Sequence, residues 1–409
     1  MLATHPSPSP NRSYHAYMDQ RTDLALLIER ATPAMVELRH DLHAHPELAF
    51  AEHRTTAVIR DRLLELGWTV APSPTETGAI ATLTGRRPGR RVLVRADIDA
   101  LPVHEERDLP YRSTIDGVMH ACGHDVHTAA LLGVADVLAN AADLPGAYTL
   151  LFQPAEEGLG GARAMIDSGV LTRHPADVVI GGHVTSLAPT GFIGSRAGTA
   201  MSQATAWRVD LEGRGGHGAM AAAEGNVVLA VSHLASRLGD VVEGLTFDGV
   251  NCACSAGVIQ AGTANNVVPR TALLRGSLRT FTGEQLTEAT ARLGHLLDDV
   301  ERAFTVRCAL SFTGGTPAVV NDPAVYETVM ASARRILGDE HVLAMPPTPA
   351  SDDVSEFLNR VPGCYIFVGG ALADGTSGSH HGPDFAVEDA SVPVMAHVLS
   401  ASAIALANA

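Results

Sequence analysis

The apolar pattern of this 409-residue chain changes character twice, near Thr199 and after Gly314-Gly315. Before the first change, helical spacing alternates with short apolar runs. Leu24, Leu27, Ile28, Met35 and Leu38 predict a helix over 22–45 that stops near Pro46. A second helix is expected over 53–66, and the run Arg91-Val92-Leu93-Val94-Arg95-Ala96-Asp97-Ile98 reads as a buried strand. A helix over 126–140, a strand over 148–153, a helix near 161–168 and a strand over 178–184 continue the series. Such alternation predicts an α/β fold, a mostly parallel sheet with helices on both faces.

Between the two changes, Trp207, Val209 and Leu211 alternate with Arg208, Asp210 and Glu212, as in a half-exposed antiparallel strand. A helix at 226–242, strands near 251–260 and 271–280, a helix at 284–304 and a strand at 306–312 complete a β-α-β-β-α-β order, that of a ferredoxin-like unit. Afterwards the first pattern resumes, with helices at 323–338, 352–360 and 388–407 and a strand at 364–369. The expected organisation is a discontinuous α/β domain over 21–198 and 315–409, interrupted by a smaller α+β domain over 199–314, after a disordered leader over 1–20.

A formal charge of −16 argues against a nucleic-acid partner, because a phosphate backbone repels an acidic protein. It leaves substrate charge open, since a dication can dominate the field of its own site. No run is read as long and uninterrupted enough to span a bilayer, so no membrane partner is expected. The leader has neither the basic start nor the apolar core of a secretory signal. Five unpatterned cysteines (Cys122, Cys252, Cys254, Cys308, Cys364) suit reduced thiols, hence a cytoplasmic location.

The chemistry concentrates at predicted strand ends, where ligands gather in open α/β sheets. Strand 91–98 leads into Asp97, Asp99 and Pro102; strand 148–153 into Glu156 and Glu157; strand 178–182 into His183. Residues 119–127 read Met-His-Ala-Cys-Gly-His-Asp-Val-His, placing Cys122 and His124 two positions apart, a soft and a borderline metal donor. Adjacent acids on a strand point opposite ways, so one could ligate while the other acts on substrate. The bland readings are that Asp97 and Asp99 cap a turn or helix, and that His120 and His127 support the site or pack. Ser379-His380-His381-Gly382-Pro383 is a further donor candidate or an exposed turn.

Several blocks resemble the M20 metallopeptidase family, most of all its amidohydrolase branch of aminoacylases, hippurate hydrolases and indole-acetyl-amino-acid hydrolases. They are Arg39-His40-Asp41-Leu42-His43 with Pro46-Glu47, Arg95 to Pro102, Met119 to Asp125, Gln153 to Gly158, Gly182-His183, Gly215-Gly216-His217 and His381 to Phe385, in order from about 35 to 395. The resemblance implies two divalent ions, zinc first with manganese, cobalt or nickel as alternatives, held by Cys122, His124, Glu157, His183 and His381. Glu156 would be the general base and Asp99 would orient a ligand. His217 would stabilise an oxyanion, or else be an ordinary turn residue. Asn266 and Arg279 would hold a substrate carboxylate, Arg279 being equally readable as an exposed strand residue.

By the same resemblance the discontinuous domain is catalytic and the insert a lid or dimerisation domain, which implies a homodimer. The implied reaction cleaves a small N-acyl amino acid into a carboxylic acid and a free amino acid. The alternatives are a dipeptidase or carboxypeptidase of the same fold and, further off, a non-catalytic metal-binding protein. Two departures stand out: Ala221-Ala222 where relatives carry Pro-His, and Ser351-Asp352-Asp353-Val354 where Ser-Glu-Asp-Phe is usual. Both bear on substrate choice.

Overall fold

The computed structural model describes residues 11–158, 160–220 and 224–409, with side chains from residue 23 onward. The expected disordered leader lies outside the described residues up to residue 10, and helical backbone begins at Asn11. Ala221-Ala222 also lies outside them. Two compact units are present, one of Met1–Ser195, Asp322–Leu343 and Val361–Ala409, the other of Arg196–Asn321 and Ala344–Arg360.

In the first unit, four parallel strands stand side by side in the order Pro145–Gln153, Arg87–Asp97, Val178–Pro189, Gly363–Ala371. Their middles are continuously apolar and fully buried (Val92 to Val94, Leu150 to Phe152, Val178 to Ile180), as strands covered on both faces must be. Short antiparallel strands extend the sheet: Ala79–Thr84 and Thr69–Ala71 at one side, Ile193–Ser195 at the other. Thr69–Ala71 and Ile193–Ser195 are too short for a period to show, and the sequence pattern announced none of the three strands.

The chain enters the parallel set at Arg87–Asp97, moves to one neighbour, Pro145–Gln153, and then crosses to the other, Val178–Pro189. That reversal leaves a crevice at the carboxyl ends of Arg87–Asp97 and Val178–Pro189, the switch point where open α/β sheets bind ligands.

The helix His124–Asn140 packs against the helices Asn11–Ala44 and Ser391–Asn408. Its side chains are buried nearly all round, so it shows no amphipathic stripe, and its start falls two residues before the expected 126. The helix Ser391–Asn408 is long and apolar enough to cross a bilayer, which amends the reading that no run qualifies. It is a core helix: it lies against Pro323–Leu337, His124–Asn140 and the sheet.

The second unit carries a four-stranded antiparallel sheet in the order Ala253–Ala261, Thr271–Thr280, Gln203–Glu212, Arg307–Thr316. With the helices Val227–Ser236 and Gly283–Phe304 this is the ferredoxin-like order 2-3-1-4. Trp207, Val209 and Leu211 enter its core beside Leu274, Leu293 and Val231. On the opposite face Arg208 pairs with Asp210. The helix expected over 226–242 ends at Ser236 and gives way to a tighter turn, Leu238–Val241. The helix expected over 352–360 is one turn, Ser355–Leu358, and its segment groups with this second unit rather than with the first.

Candidate metal centre

The crevice of the first unit gathers donors from four places. Cys122 precedes the helix His124–Asn140, whose N-cap Gly123 takes the left-handed φ of 88° that glycine adopts without strain. That turn lets Cys122 and His124 face the same space. One ligand atom from each of Cys122, His124 and His183 lies within 4.8 Å of the other two. The same limit holds within the set Cys122, Glu157 and His381 and within the set His124, Glu156 and Glu157. The sets overlap through Cys122, His124 and Glu157, the pattern two neighbouring cations would need.

Glu156 and Glu157 do not continue the strand, which ends at Gln153; they occupy a turn, so the opposed-faces expectation fails. Their backbone is held instead by Asp99, whose carboxylate accepts the amides of Glu156 at 3.1 Å and of Glu157 at 3.0 Å. Asp99 caps this turn by accepting both amides, as one of its two readings expected. His183 sits inside Val178–Pro189 rather than at its end, but pairing with Arg87–Asp97 stops at Gly181, which opens its face to the crevice.

Hydrogen bonds fix which nitrogens look inward. A carbonyl oxygen only accepts, so His124 Nδ1–H donates to Asp99 O at 2.8 Å and His183 Nδ1–H to Val184 O at 2.6 Å. Both Nε2 lone pairs are left facing the donors, His183 Nε2 being 3.4 Å from Cys122 Sγ. His124 Nε2 and Glu157 Oε1 are buried with no hydrogen bond and lie 3.9 Å apart. His381 Nε2 is 3.2 Å from the same Glu157 oxygen. Orphaned buried acceptors aimed at one space, in a mixed N/O/S set, fit a divalent cation.

His127 and His380 have their Nε2 lone pairs engaged elsewhere. His127 donates from Nδ1 to Asp97 at 2.5 Å and accepts the Val184 amide on Nε2 at 2.8 Å. Asp97 is held in turn by Arg95 at 2.7 Å, so the pair braces the strand that carries His183. Burial opposes the charge of Asp97, but His124, Arg95 and His127 outweigh it and hold its carboxyl well below the usual range. His380 accepts the Ser186 amide on Nε2 at 3.3 Å and turns Nδ1 toward Cys122 at 3.8 Å. His120 is buried with neither ring nitrogen hydrogen-bonded, and burial lowers its pKa to about 4, the state of a neutral core histidine.

Sequence reading missed a charged network behind the ligand helix. Arg39 and His43, one helical turn apart, both reach Asp125, at 3.2 and 3.0 Å. Arg39 also binds Asp389 at 2.6 Å, and His43 Nε2 meets Glu105 at 3.2 Å. His40, stacked on Tyr111 with ring centres 3.8 Å apart, shares Asp389. Both His43 nitrogens face acceptors, so the ring is an imidazolium. Burial pulls its pKa down, but Asp125 and Glu105 outweigh that and raise it to about 9.

A pKa raised on folding stabilises fully below the unfolded value near 6.5 and loses that contribution as pH climbs through the folded value. The shift corresponds to on the order of 3 kcal/mol. The expected result is a thermal midpoint that falls from pH 7 to pH 9.5, and a His43→Leu variant that lacks this slope. Parallel curves for the two proteins would refute it.

In the second unit, Gly216–His217 pairs with Val267–Val268, and the Gly218 amide donates to Asn266 O at 2.8 Å, which brings His217 and Asn266 together. His217 Nδ1 accepts the Ala219 amide at 3.2 Å, leaving the proton on Nε2. Arg279 lies on Thr271–Thr280 and bonds the Ser351 hydroxyl. Asp352 accepts the Val354 amide at 2.8 Å, so this departure from the usual pattern keeps a turn-capping acid.

The family model described as Peptidase family M20/M25/M40 matches residues 93–405, and the chain belongs to that family. An N-acetyl-L-cysteine deacetylase of Bacillus subtilis (strain 168) is 33% identical over 398 residues, covering 95% of this chain and 94% of the relative. Thermostable carboxypeptidase 1 of Saccharolobus solfataricus is 33% identical over 344 residues, 82% of this chain and 85% of that one. A crystal structure from Bacillus subtilis, titled a dinuclear metal-binding peptidase of the M20 family, superposes with a TM-score of 0.79 at 28% identity, covering 93% of this chain and 99% of the other.

Proposed function

We propose that this chain is a dinuclear metal-dependent amidohydrolase that cleaves small N-acyl amino acids to a carboxylic acid and a free amino acid. The observation that carries this reading is the set of overlapping donor triads with Glu156 beside them. Cys122, His124, Glu157, His183 and His381 are the proposed ligands. Burial pushes the Cys122 thiol up, and a coordinated cation would reverse that by favouring the thiolate. When bound, the ions supply Lewis acidity to the substrate carbonyl and to water. Their mixed donors suit zinc, manganese, cobalt or nickel, and metal analysis of the purified protein assigns the ion.

Glu156 takes the proton of the attacking water and returns it to the leaving nitrogen. Asp99 holds Glu156 and Glu157 by their amides. His217, protonated on Nε2, is the proposed donor to the oxyanion; Asn266 and Arg279 are the proposed partners of the substrate carboxylate. A cytoplasmic location is supported by five free cysteines. A homodimer through the inserted unit is supported by the open edge strand Ala253–Ala261, where Ile259 is 52% exposed; sedimentation that finds only monomer would remove it.

The carboxypeptidase relative makes peptide cleavage the competing reading. A panel of acetyl- and benzoyl-amino acids against free-amine dipeptides separates them. The expected outcome is a kcat/KM at least about tenfold higher for the N-acyl amino acids, about 1.4 kcal/mol of transition-state preference. Chelation abolishes it and added divalent metal restores it. Preference for dipeptides would move the assignment to a peptidase, and a fully loaded protein inert to both would end it.

A further inference from the structure

Three successive amides at the corner that carries the proposed base are captured by carboxylates from elsewhere in the chain. Glu156 and Glu157 donate to Asp99, while the amide of Ala155 donates to Glu52 Oε1 at 2.9 Å. Ala155 is left-handed, with φ of 55°, and it is not a glycine. For an L-residue that conformation costs about 1–2 kcal/mol and persists only where the surroundings over-determine it.

The surroundings do so from three sides. Glu52 is fully buried, and its second oxygen accepts the Thr77 hydroxyl at 2.6 Å, so the carboxylate cannot swing away. A Cβ at Gly78 would come within 2.7 Å of Phe152 O and 2.8 Å of Pro154 Cδ, and one at Gly161 within 1.7 Å of Pro154 O. The backbone beside the corner is therefore packed without slack. Asp99 fixes where the Glu156 and Glu157 amides lie, whereas the φ of Ala155 sets the direction in which the chain leaves the strand toward them.

We propose that Glu52 is a positioning residue that holds Ala155 left-handed and thereby aims the Glu156 carboxylate at the reacting water. The inference rests on the assignment of Glu156 as the base. Glu52 touches neither substrate nor metal in this scheme; it acts through one backbone amide.

The test measures kcat, KM and bound metal per folded site for Glu52→Ala, Glu52→Gln, Glu156→Gln and the Glu52→Ala/Glu156→Gln double variant. Misplacing a catalytic group by about 1 Å can cost about 10²-fold, so Glu52→Ala is expected to lose that much kcat with KM and metal content intact. Glu52→Gln keeps an acceptor for Ala155 and recovers most of the loss. In the Glu156→Gln background, Glu52→Ala removes nothing further, because the group it aims is already disabled. If Glu52→Ala fails to fold, Glu52→Asp carries the test: it keeps the charge but withdraws the oxygens by one methylene, and kcat falls in a folded, loaded protein. Full kcat in Glu52→Ala, activity lost only in step with metal, or losses that multiply in the double variant would overturn the proposal. Full turnover in Glu156→Gln alone would remove the base assignment itself.

Discussion

Glu156→Gln is expected to bind metal and substrate like the parent yet to turn over about 10²–10⁴-fold more slowly. The substitution preserves shape, and the residue 156 amide still donates to Asp99, so the corner keeps its form. What disappears is an oxygen able to accept a proton from water and pass it to the leaving nitrogen. A loss confined to kcat, with KM unchanged, is the signature of an interaction made only in the transition state. Steady-state kinetics on protein of measured metal content decides it. Unchanged turnover would mean that another group moves the proton.

Asp125→Ala is expected to be among the most destabilising single changes in the first unit. Asp125 is buried and neutralises Arg39 and His43 together, and those charges hold its carboxyl far below the usual range against the cost of burial. Removing one member of a buried ion cluster leaves the others charged in a low-dielectric interior, which costs about 3–5 kcal/mol. The expected result is a denaturation midpoint of the metal-depleted protein lowered accordingly. Replacing Arg39 by Met in the same background recovers part of that stability, since its other partner Asp389 is partly exposed while His43 keeps Glu105. A loss below about 1 kcal/mol, the scale of an exposed pair, would show that the network is solvated.

The parallel strands were legible because each is a continuous apolar run bounded by helix-period segments, and Trp207, Val209 and Leu211 announced the antiparallel insert. The strand Ala79–Thr84 was not legible: Ile80 and Leu83 fall three positions apart, so no period of two shows, and its other residues are Ala and Thr. Nor was the grouping of Ala344–Arg360, because which unit a loop packs against is a tertiary property. At the centre, clustering of donor types singled out Cys122, His124, Glu156, Glu157 and His183. Separating His381 from His380 rested on resemblance, and the separation in space depends on the Ser186 amide, which no local spacing reveals. Glu52 carried no signal of its own, since a buried carboxylate 103 positions from the amide it receives looks like any surface acid in a sequence. The Arg39 and His43 spacing was visible, but not the partner on another helix that gives it meaning.

The strand Gly363–Ala371 sits beside Val178–Pro189, with Phe367 level with His183, yet some 180 residues of chain are made between them. On a ribosome the insert, whose four sheet strands all lie between Gln203 and Thr316, can close its sheet while the nascent chain still lacks that strand. Until Gly363–Ala371 emerges, that edge of Val178–Pro189 waits without its partner and exposes apolar surface. Loop-closure entropy over such a separation slows that pairing, so the donor cage beside it is completed late and the open edge is an aggregation hazard until then.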